Sequence, residues 1–253
     1  MKLIIQIPCF NEEATLPLTL ADLPKSIQGI KIIEVQVVDD GSTDQTSEVA
    51  KRCGVHHIVK LGGNRGLATA FKTGVENALR MGADIIVNTD ADNQYCGKDI
   101  SKLVEPILAG RADIVIGERP ISDHPEFSPV KKLLQKIGSW VVRGVSRTTV
   151  PDTTSGFRAY SAEAAMRMSI FTRFSYCLET LIQAGYSGLK VETIPIRINP
   201  KTRESRLFKG IGQYVLRSSL TIIRVFIVYR ASLFFAWAGV VPGLLHLILG
   251  EPL

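Results

Sequence analysis

Cysteine is scarce in this chain, and so are the motifs that usually accompany it. Cys9, Cys53, Cys96 and Cys177 are the only four in 253 residues, widely scattered, with no CxxC pair and no Cys/His cluster. That spacing supports neither a zinc site nor a disulfide framework, and it fits reduced thiols in a cytosolic compartment. A dinucleotide fingerprint is lacking too. Gly62, Gly63 and Gly66 do not fall in the GxGxxG spacing, and there is no Gly-Lys-Ser/Thr of a P-loop. No secretory leader is expected: Met1-Lys2 runs directly into Leu3-Ile4-Ile5 and soon meets Pro8, which is too short for an apolar h-region. With 21% charged and 45% hydrophobic residues, the chain is not disordered and can form a sizeable core.

The formal net charge of +6 is confined to one stretch. Residues 190–230 hold nine basic residues against two acidic ones, Glu192 and Glu204, which leaves the first 189 residues about neutral. A nucleic-acid binder needs a basic face on its folded domain, so nucleic acid is not an expected partner. From Ile211 to Tyr229 the pattern reads as an amphipathic helix, with Arg217 and Arg224 seven apart on one face. Ala231–Gly250 then runs for twenty residues without a formal charge. At about 1.5 Å per residue such a helix spans about 30 Å, one hydrocarbon core, and membrane helices tolerate interruptions such as Pro242 and Gly243. Basic flanks stay on the cytoplasmic side, drawn to anionic lipid by roughly 1 kcal/mol each. The expected organisation is a globular domain over residues 1–209, a membrane-interface helix over 210–230 and a transmembrane helix over 231–250. The domain is expected at the membrane, facing the cytoplasm.

Within the domain, short apolar runs alternate with helical ones. Strands are expected at Lys2–Ile7, ended by Pro8, and at Ile32–Val38, His57–Leu61, Ile85–Thr89, Ile114–Gly117 and Val191–Ile198. Helices are expected through about Leu23, up to Cys53 with Asp44 or Thr43 as cap, over Leu67–Met81, Ile100–Ala109, Val130–Val145, Ser161–Met168 and Tyr176–Gly185. Residues 151–158 read as a turn. Such alternation implies an α/β fold with a mostly parallel sheet and helices on both faces, and ligands bind such sheets at the carboxyl ends of the strands. Asn11-Glu12, Asp39-Asp40, Asn64-Arg65 and Asp90–Gln94 all follow strands, so they are expected on one rim. Asp90 and Asp92 stand at i and i+2 and point the same way along an extended chain. Two like charges so placed repel, and a hard divalent cation shared with substrate phosphates suits them.

Ile7-Pro8-Cys9-Phe10-Asn11-Glu12, Val37-Val38-Asp39-Asp40-Gly41-Ser42-Thr43-Asp44, Asn64-Arg65-Gly66, Asp90-Ala91-Asp92-Asn93-Gln94 and Ser155-Gly156-Phe157-Arg158 occur in this order. Together they resemble family 2 glycosyltransferases of the GT-A fold, in the branch of dolichyl-phosphate mannose synthase and bacterial polyprenyl-phosphate glycosyltransferases. The resemblance covers residues 1–206. It implies that Pro8, Asn11, Glu12, Asp39, Asp40, Arg65 and Asp90 hold the nucleotide of a UDP- or GDP-sugar. It implies that Asp90, Asp92 and Gln94 hold Mg²⁺ or Mn²⁺ against the diphosphate. Arg119 matches a basic residue near the acceptor phosphate, and Asp152 and Arg158 match the acceptor-side turn, so Asp92, Asp152, Arg119 and Arg158 are the expected catalytic set. Lys131 and Lys132 add positive charge for a phosphate, and Arg203, Ser205 and Arg206 resemble a late active-site loop. In that loop the family's Gly before the Ser is missing, since the chain reads Lys201-Thr202-Arg203-Glu204-Ser205-Arg206.

The Gln-x-x-Arg-Trp motif of processive relatives is absent, as the only tryptophans are Trp140 and Trp237, so one transfer per acceptor is expected. The family implies inversion by a single in-line displacement. A polyprenyl phosphate is an anion at neutral pH and needs no general base, whereas a hydroxyl acceptor would need one, with Asp152 the candidate. The other readings are a nucleotidyltransferase, a nucleotide-sugar-binding module without catalysis, and, for any of these, a homo-oligomer.

Overall fold

The computed structural model describes residues 1–120, 129–146, 148–171 and 176–200, together with 219–220, 223–224 and 227–228. The first strand, β1 (Lys2–Cys9), is buried along almost its whole length, as an apolar run in the centre of a parallel sheet should be. It lies between β2 (Ile32–Asp39) and β4 (Ile85–Asn88), both parallel to it, and β3 (His57–Lys60) extends the sheet beyond β2. On the other side come β6 (Arg158–Ser161), β5 (Ile114–Glu118) and β7 (Val191–Pro195), giving the order β3-β2-β1-β4-β6-β5-β7. Four of the neighbouring pairs are parallel. Only β6 runs antiparallel, against both β4 and β5.

Two local expectations are corrected. Pro8 does not end β1. Gln6 O accepts the Thr89 N–H at 3.1 Å, so the even residues of β1 address β4, whose paired residues stop opposite Gln6. The N–H that Pro8 lacks therefore points where no ladder bond is required. The second correction is β6, which local pattern does not reveal. Its Arg-Ala-Tyr-Ser sequence is too short to alternate, opens on a charge, and is nevertheless buried over Arg158–Tyr160.

The helices are α1 (Leu16–Asp22), α2 (Thr46–Arg52), α3 (Leu67–Arg80), α4 (Ile100–Leu108), α5 (Pro129–Ser146), α6 (Ala162–Arg167) and α7 (Tyr176–Tyr186). Alternation along β1 assigns them to faces. Ile4 packs with Phe71 and Val75 of α3 and with α6 and α7, while Leu3 and Ile5 pack with Leu103 and Val104 of α4 and Ile7 with α1 and α2. The expected cap of α2 is displaced: Asp44 Oδ1 accepts the Thr46 N–H at 2.9 Å, and Gln45 takes the cap position without a side-chain bond. Among the described residues no helix is long and apolar enough to cross a membrane. The expected transmembrane helix lies outside the described residues, and of the expected interface helix only 219–220, 223–224 and 227–228 are described, all of them helical.

Candidate active site

Each polar loop at the carboxyl rim is tied to its neighbour. The loops after β1 and β2 exchange bonds: Asn11 N–H donates to Ser42 Oγ at 3.0 Å, Thr43 N–H to Asn11 Oδ1 at 2.8 Å, and Glu12 N–H to Thr46 Oγ1 at 2.8 Å. Asn11 sits at φ 57°, a left-handed geometry that Asn tolerates better than most residues. Asp39 accepts the Ser42 N–H at 2.8 Å and the Ser47 hydroxyl. Burial alone would push its carboxyl up, but the bonds from Ser42 and Ser47 outweigh it, so Asp39 is held below its ordinary value.

Asp40 reaches the next loop. Its two oxygens accept the Arg65 N–H at 2.7 Å and the Gly66 N–H at 2.8 Å at the start of α3. Gly41 makes this approach possible: at φ +74° a Cβ there would stand 2.5 Å from the Gly63 backbone. Pro8, Glu12, Asp39 and Asp40 are all buried, whereas Arg65 is exposed. Five of the residues expected at the nucleotide thus form one hydrogen-bonded rim segment, in which Asp39 and Asp40 also brace the loops.

Past β4, Asp90, Asp92 and Gln94 follow in a loop of half-buried side chains. Gln94 N–H donates to Asp92 Oδ1 at 3.1 Å. Asp90 packs against Gly156, where an added Cβ would meet its oxygens at 3.2 and 3.4 Å. Beneath them lies a network that acid spacing does not reveal. Asn88 Nδ2 donates to Gly156 O at 2.9 Å and to Tyr176 Oη at 2.8 Å, and Gly156 N–H donates to Tyr95 Oη at 3.1 Å. Both phenols are held by stacking, Tyr176 on Phe71 at 3.8 Å and Tyr95 on Phe157 at 5.0 Å between ring centroids. Burial, followed by neighbouring charges that include Asp90, raises the Tyr95 and Tyr176 hydroxyls. In the sequence this region shows only as the Ser155-Gly156-Phe157-Arg158 motif.

Gly156→Ala is therefore expected to destabilise the protein. Its methyl would lie 2.8 Å from Tyr176 Oη, and Tyr176 cannot retreat from the Phe71 ring. Overpacking of this kind costs about 1–3 kcal/mol, to be read from the urea midpoint; an unchanged midpoint would show that the network yields freely.

Arg119 follows β5. Its Nε donates to Asp152 Oδ2 at 2.7 Å, and its Nη2 donates to Asp152 Oδ1 at 3.0 Å and Thr154 Oγ1 at 2.8 Å. The Asp152 side chain is 1% exposed and that of Arg119 19%. Burial raises the Asp152 carboxyl, but the paired guanidinium more than reverses this, so the carboxyl lies below its usual range. Burial lowers the Arg119 pKa, and Asp152 with Tyr95 and Asp90 raises it further than that, so Arg119 stays charged.

Arg158 is placed differently from expectation. Its residue is 1% exposed. Nε donates to Ser155 O at 2.7 Å, Nη1 to Cys177 O at 2.9 Å and Thr180 Oγ1 at 3.1 Å, and Nη2 to Thr153 O at 2.9 Å. These bonds make Arg158 a brace that joins the 153–155 turn to α7. Lys131 and Lys132 belong to α5, but their side chains lie outside the described residues, as do Arg203, Ser205 and Arg206 entirely.

Among the described residues no group of three or more His, Cys, Asp or Glu could hold a metal ion. Asp90 and Asp92 supply hard carboxylate oxygens at a strand end. This donor set fits a divalent cation that completes its shell with phosphate and water oxygens, and it does not fit a self-sufficient structural site.

The family described as Glycosyl transferase family 2 matches residues 4–171. UDP-N-acetylglucosamine--dolichyl-phosphate N-acetylglucosaminyltransferase of Methanococcus voltae is 30% identical over 76% of this chain and 83% of its own length. Polyprenol monophosphomannose synthase of Mycolicibacterium smegmatis is 28% identical over 77% and 76%. Among solved structures, glucosyl-3-phosphoglycerate synthase of Mycobacterium tuberculosis, in complex with Mn²⁺, UDP and glucosyl-3-phosphoglycerate, superposes with a TM-score of 0.69 at 17% identity, over 90% of this chain and 79% of that one.

Proposed function

This chain belongs to glycosyl transferase family 2, and from that premise we propose that it moves a single sugar from a nucleotide-sugar donor to a polyprenyl phosphate at the cytoplasmic face of a membrane. The observation that carries the acceptor class is the Arg119–Asp152 pair. A general base works best with a pKa near the operating pH. Asp152 lies below the carboxylate range and both its oxygens engage Arg119, so it is a poor proton acceptor. A phosphate monoester arrives already ionised and asks only for positive charge. Arg119 offers that charge, with an Nη1 that bonds no described residue. The names of the Methanococcus and Mycolicibacterium relatives, a dolichyl-phosphate and a polyprenol enzyme, support the same class. The uncharged run at 231–250 supports a membrane location.

On the donor side, Pro8, Asn11, Glu12, Asp39, Asp40 and Arg65 would receive the nucleotide in the braced rim. The Mn²⁺ and UDP of the structural neighbour support a divalent cation, Mg²⁺ or Mn²⁺, held by Asp90 and Asp92 with Gln94 beside them. When bound, the cation would neutralise charge on the departing diphosphate as a Lewis acid. Arg119, held rigid by Asp152 and Thr154, would orient the acceptor oxyanion toward the anomeric carbon in a single inverting displacement. Arg203, Ser205, Arg206, Lys131 and Lys132 are proposed for acceptor-phosphate binding from the sequence alone.

The test is to incubate the full chain with Mn²⁺ or Mg²⁺, undecaprenyl or dolichyl phosphate and a panel of UDP- and GDP-sugars, reading nucleoside diphosphate and glycolipid. A metal-dependent lipid-linked sugar is the expected product and names the donor. Diphosphate released with a hydroxyl acceptor, and none with lipid phosphate, would overturn the acceptor assignment.

A further inference from the structure

The loop carrying Asp90 and Asp92 is held by more than its own strand. After β7 the chain crosses from the end of β5 to this loop. Ile196 N–H donates to Glu118 O at 3.0 Å, Arg197 O accepts the Cys96 N–H at 3.3 Å, Ile198 bridges Tyr95, and Asn199 N–H donates to Gln94 O at 2.8 Å. The Asn199 carboxamide then straddles Gln94. Its Nδ2 donates to Asn93 O at 3.0 Å and to Tyr95 O at 3.3 Å. Three successive carbonyls, those of Asn93, Gln94 and Tyr95, thus all accept from one residue.

The segment so held is the one whose geometry Asp92 depends on. Asn93 has φ 57°, a left-handed conformation that Asn adopts more readily than most L-residues and that the bonds from Asn199 hold in place. The next amide, that of Gln94, is the donor to Asp92 Oδ1. The crossing chain is itself anchored. Arg197 N–H donates to Asp99 Oδ2 at 2.7 Å, its Nη2 donates to Oδ1 at 2.7 Å, and Lys102 Nζ lies 2.9 Å from the same oxygen. Burial would raise the Asp99 carboxyl, but Arg197 and Lys102 outweigh it and hold it down to about 2, so this anchor stays ionised at any physiological pH.

We propose that Asn199 is a positioning residue for the Asp92 carboxylate, fixing the 93–95 backbone and, through the Gln94 amide, the direction in which Asp92 presents its oxygens to a divalent cation. The proposal rests on Asp90 and Asp92 being metal ligands, as proposed above. Asn199 touches neither carboxylate and acts only through peptide groups of the loop. Groups that orient metal ligands in this way typically change metal affinity roughly 10–100-fold when removed.

The test is a Mn²⁺ titration by electron paramagnetic resonance in the presence of UDP, on the full chain, with wild type, Asn199→Ala, Asn199→Ser and Asp92→Ala. Circular dichroism identifies which variants are folded. Asn199→Ala is expected to weaken Mn²⁺ binding roughly tenfold, Asn199→Ser less. Turnover of the alanine variant should recover to within about twofold of wild type once Mn²⁺ saturates it, because the ligands themselves remain. A merely structural residue would shift the unfolding midpoint and leave the titration in place. Wild-type Mn²⁺ affinity in a folded Asn199 variant, with binding lost in Asp92→Ala, overturns the role of Asn199 alone. No Mn²⁺ binding by wild type, or binding unaffected in Asp92→Ala, overturns the metal assignment and this proposal with it.

Discussion

Asp92→Ala is expected to lower sugar transfer by roughly a thousandfold, the scale on which removal of one preorganised electrostatic group acts in enzymes, while the protein stays folded. Asp92 is half-buried in a loop. Its bond to the Gln94 N–H is local, and the loop keeps the Asn199 bonds on the other side of that amide. Removing its carboxylate should therefore move the unfolding midpoint by no more than about 2 °C, about 0.5–1 kcal/mol for a domain of this size. The chemistry depends on it far more. Departure of a nucleoside diphosphate builds negative charge, and a cation held by one carboxylate instead of two is poorly placed to meet it. Asp90 is the less clean target. It packs on Gly156 and its charge helps keep Arg119 protonated, so Asp90→Ala would disturb the fold and the acceptor side together. The assay is nucleoside diphosphate release across a Mn²⁺ series. Turnover by Asp92→Ala within about tenfold of wild type at saturating Mn²⁺ would rule Asp92 out as a ligand.

The second large effect belongs to Asp152, and here stability and activity separate. Asp152→Ala leaves the Arg119 guanidinium largely enclosed, with Thr154 its one remaining hydrogen-bond acceptor among the described residues. Breaking a buried pair from one side costs about 3–5 kcal/mol, a large share of the stability of any domain, so this variant is expected to unfold at much lower urea. Asp152→Asn keeps the shape and an acceptor oxygen for Arg119. If Asp152 orients Arg119, as proposed, the asparagine variant retains transfer to within about tenfold and keeps the wild-type pH profile. If Asp152 removes a proton from a hydroxyl acceptor, the same variant loses roughly a hundredfold to ten-thousandfold, and the acidic limb of the profile disappears. The pH dependence of stability has a defined sign. The folded carboxyl lies below its unfolded value, so its contribution is fully present above the unfolded pKa of about 3.9. That contribution fades as pH falls through the lower folded-state value. Acid titration of wild type against Asp152→Asn should show the difference between them closing below about pH 4.

How far the sequence could be read varies residue by residue. Asp39-Asp40-Gly41-Ser42 announced a rim loop because Asp39 acts within a few positions, on Ser42 and Ser47, although Asp40 goes on to meet Arg65 and Gly66 in the next loop. Asp90 and Asp92 were legible for the same reason, being two acids at a strand end. For Arg158 the motif locates the residue along the chain but does not show which way its side chain runs. The strand containing it turned out to be interior, and the guanidinium turned inward to carbonyls of the 153–155 turn and α7. Tyr95, Thr154, Tyr176 and Asn199 carried no signal at all, since a tyrosine beside an apolar run looks the same whether it fills space or receives a glycine amide.

By itself the sequence determined the alternation of strands and helices, and with it the placing of every loop after a parallel strand on one rim. That follows from chain geometry: a parallel connection must return over a face of the sheet, so successive strand ends point the same way. It also determined which rim loops carry acids and that membership in a glycosyltransferase family follows from their order. Only the tertiary structure decided what those loops meet. Arg119 finds Asp152 from 33 residues away, and Asn199 reaches Asn93 across 106. Both contacts depend on β6 being inserted antiparallel between β4 and β5 and on β7 adding beyond β5. Which strand pairs with which is settled by the packing of the whole core, in which each strand's burial depends on its neighbours, and no window of local sequence contains that information.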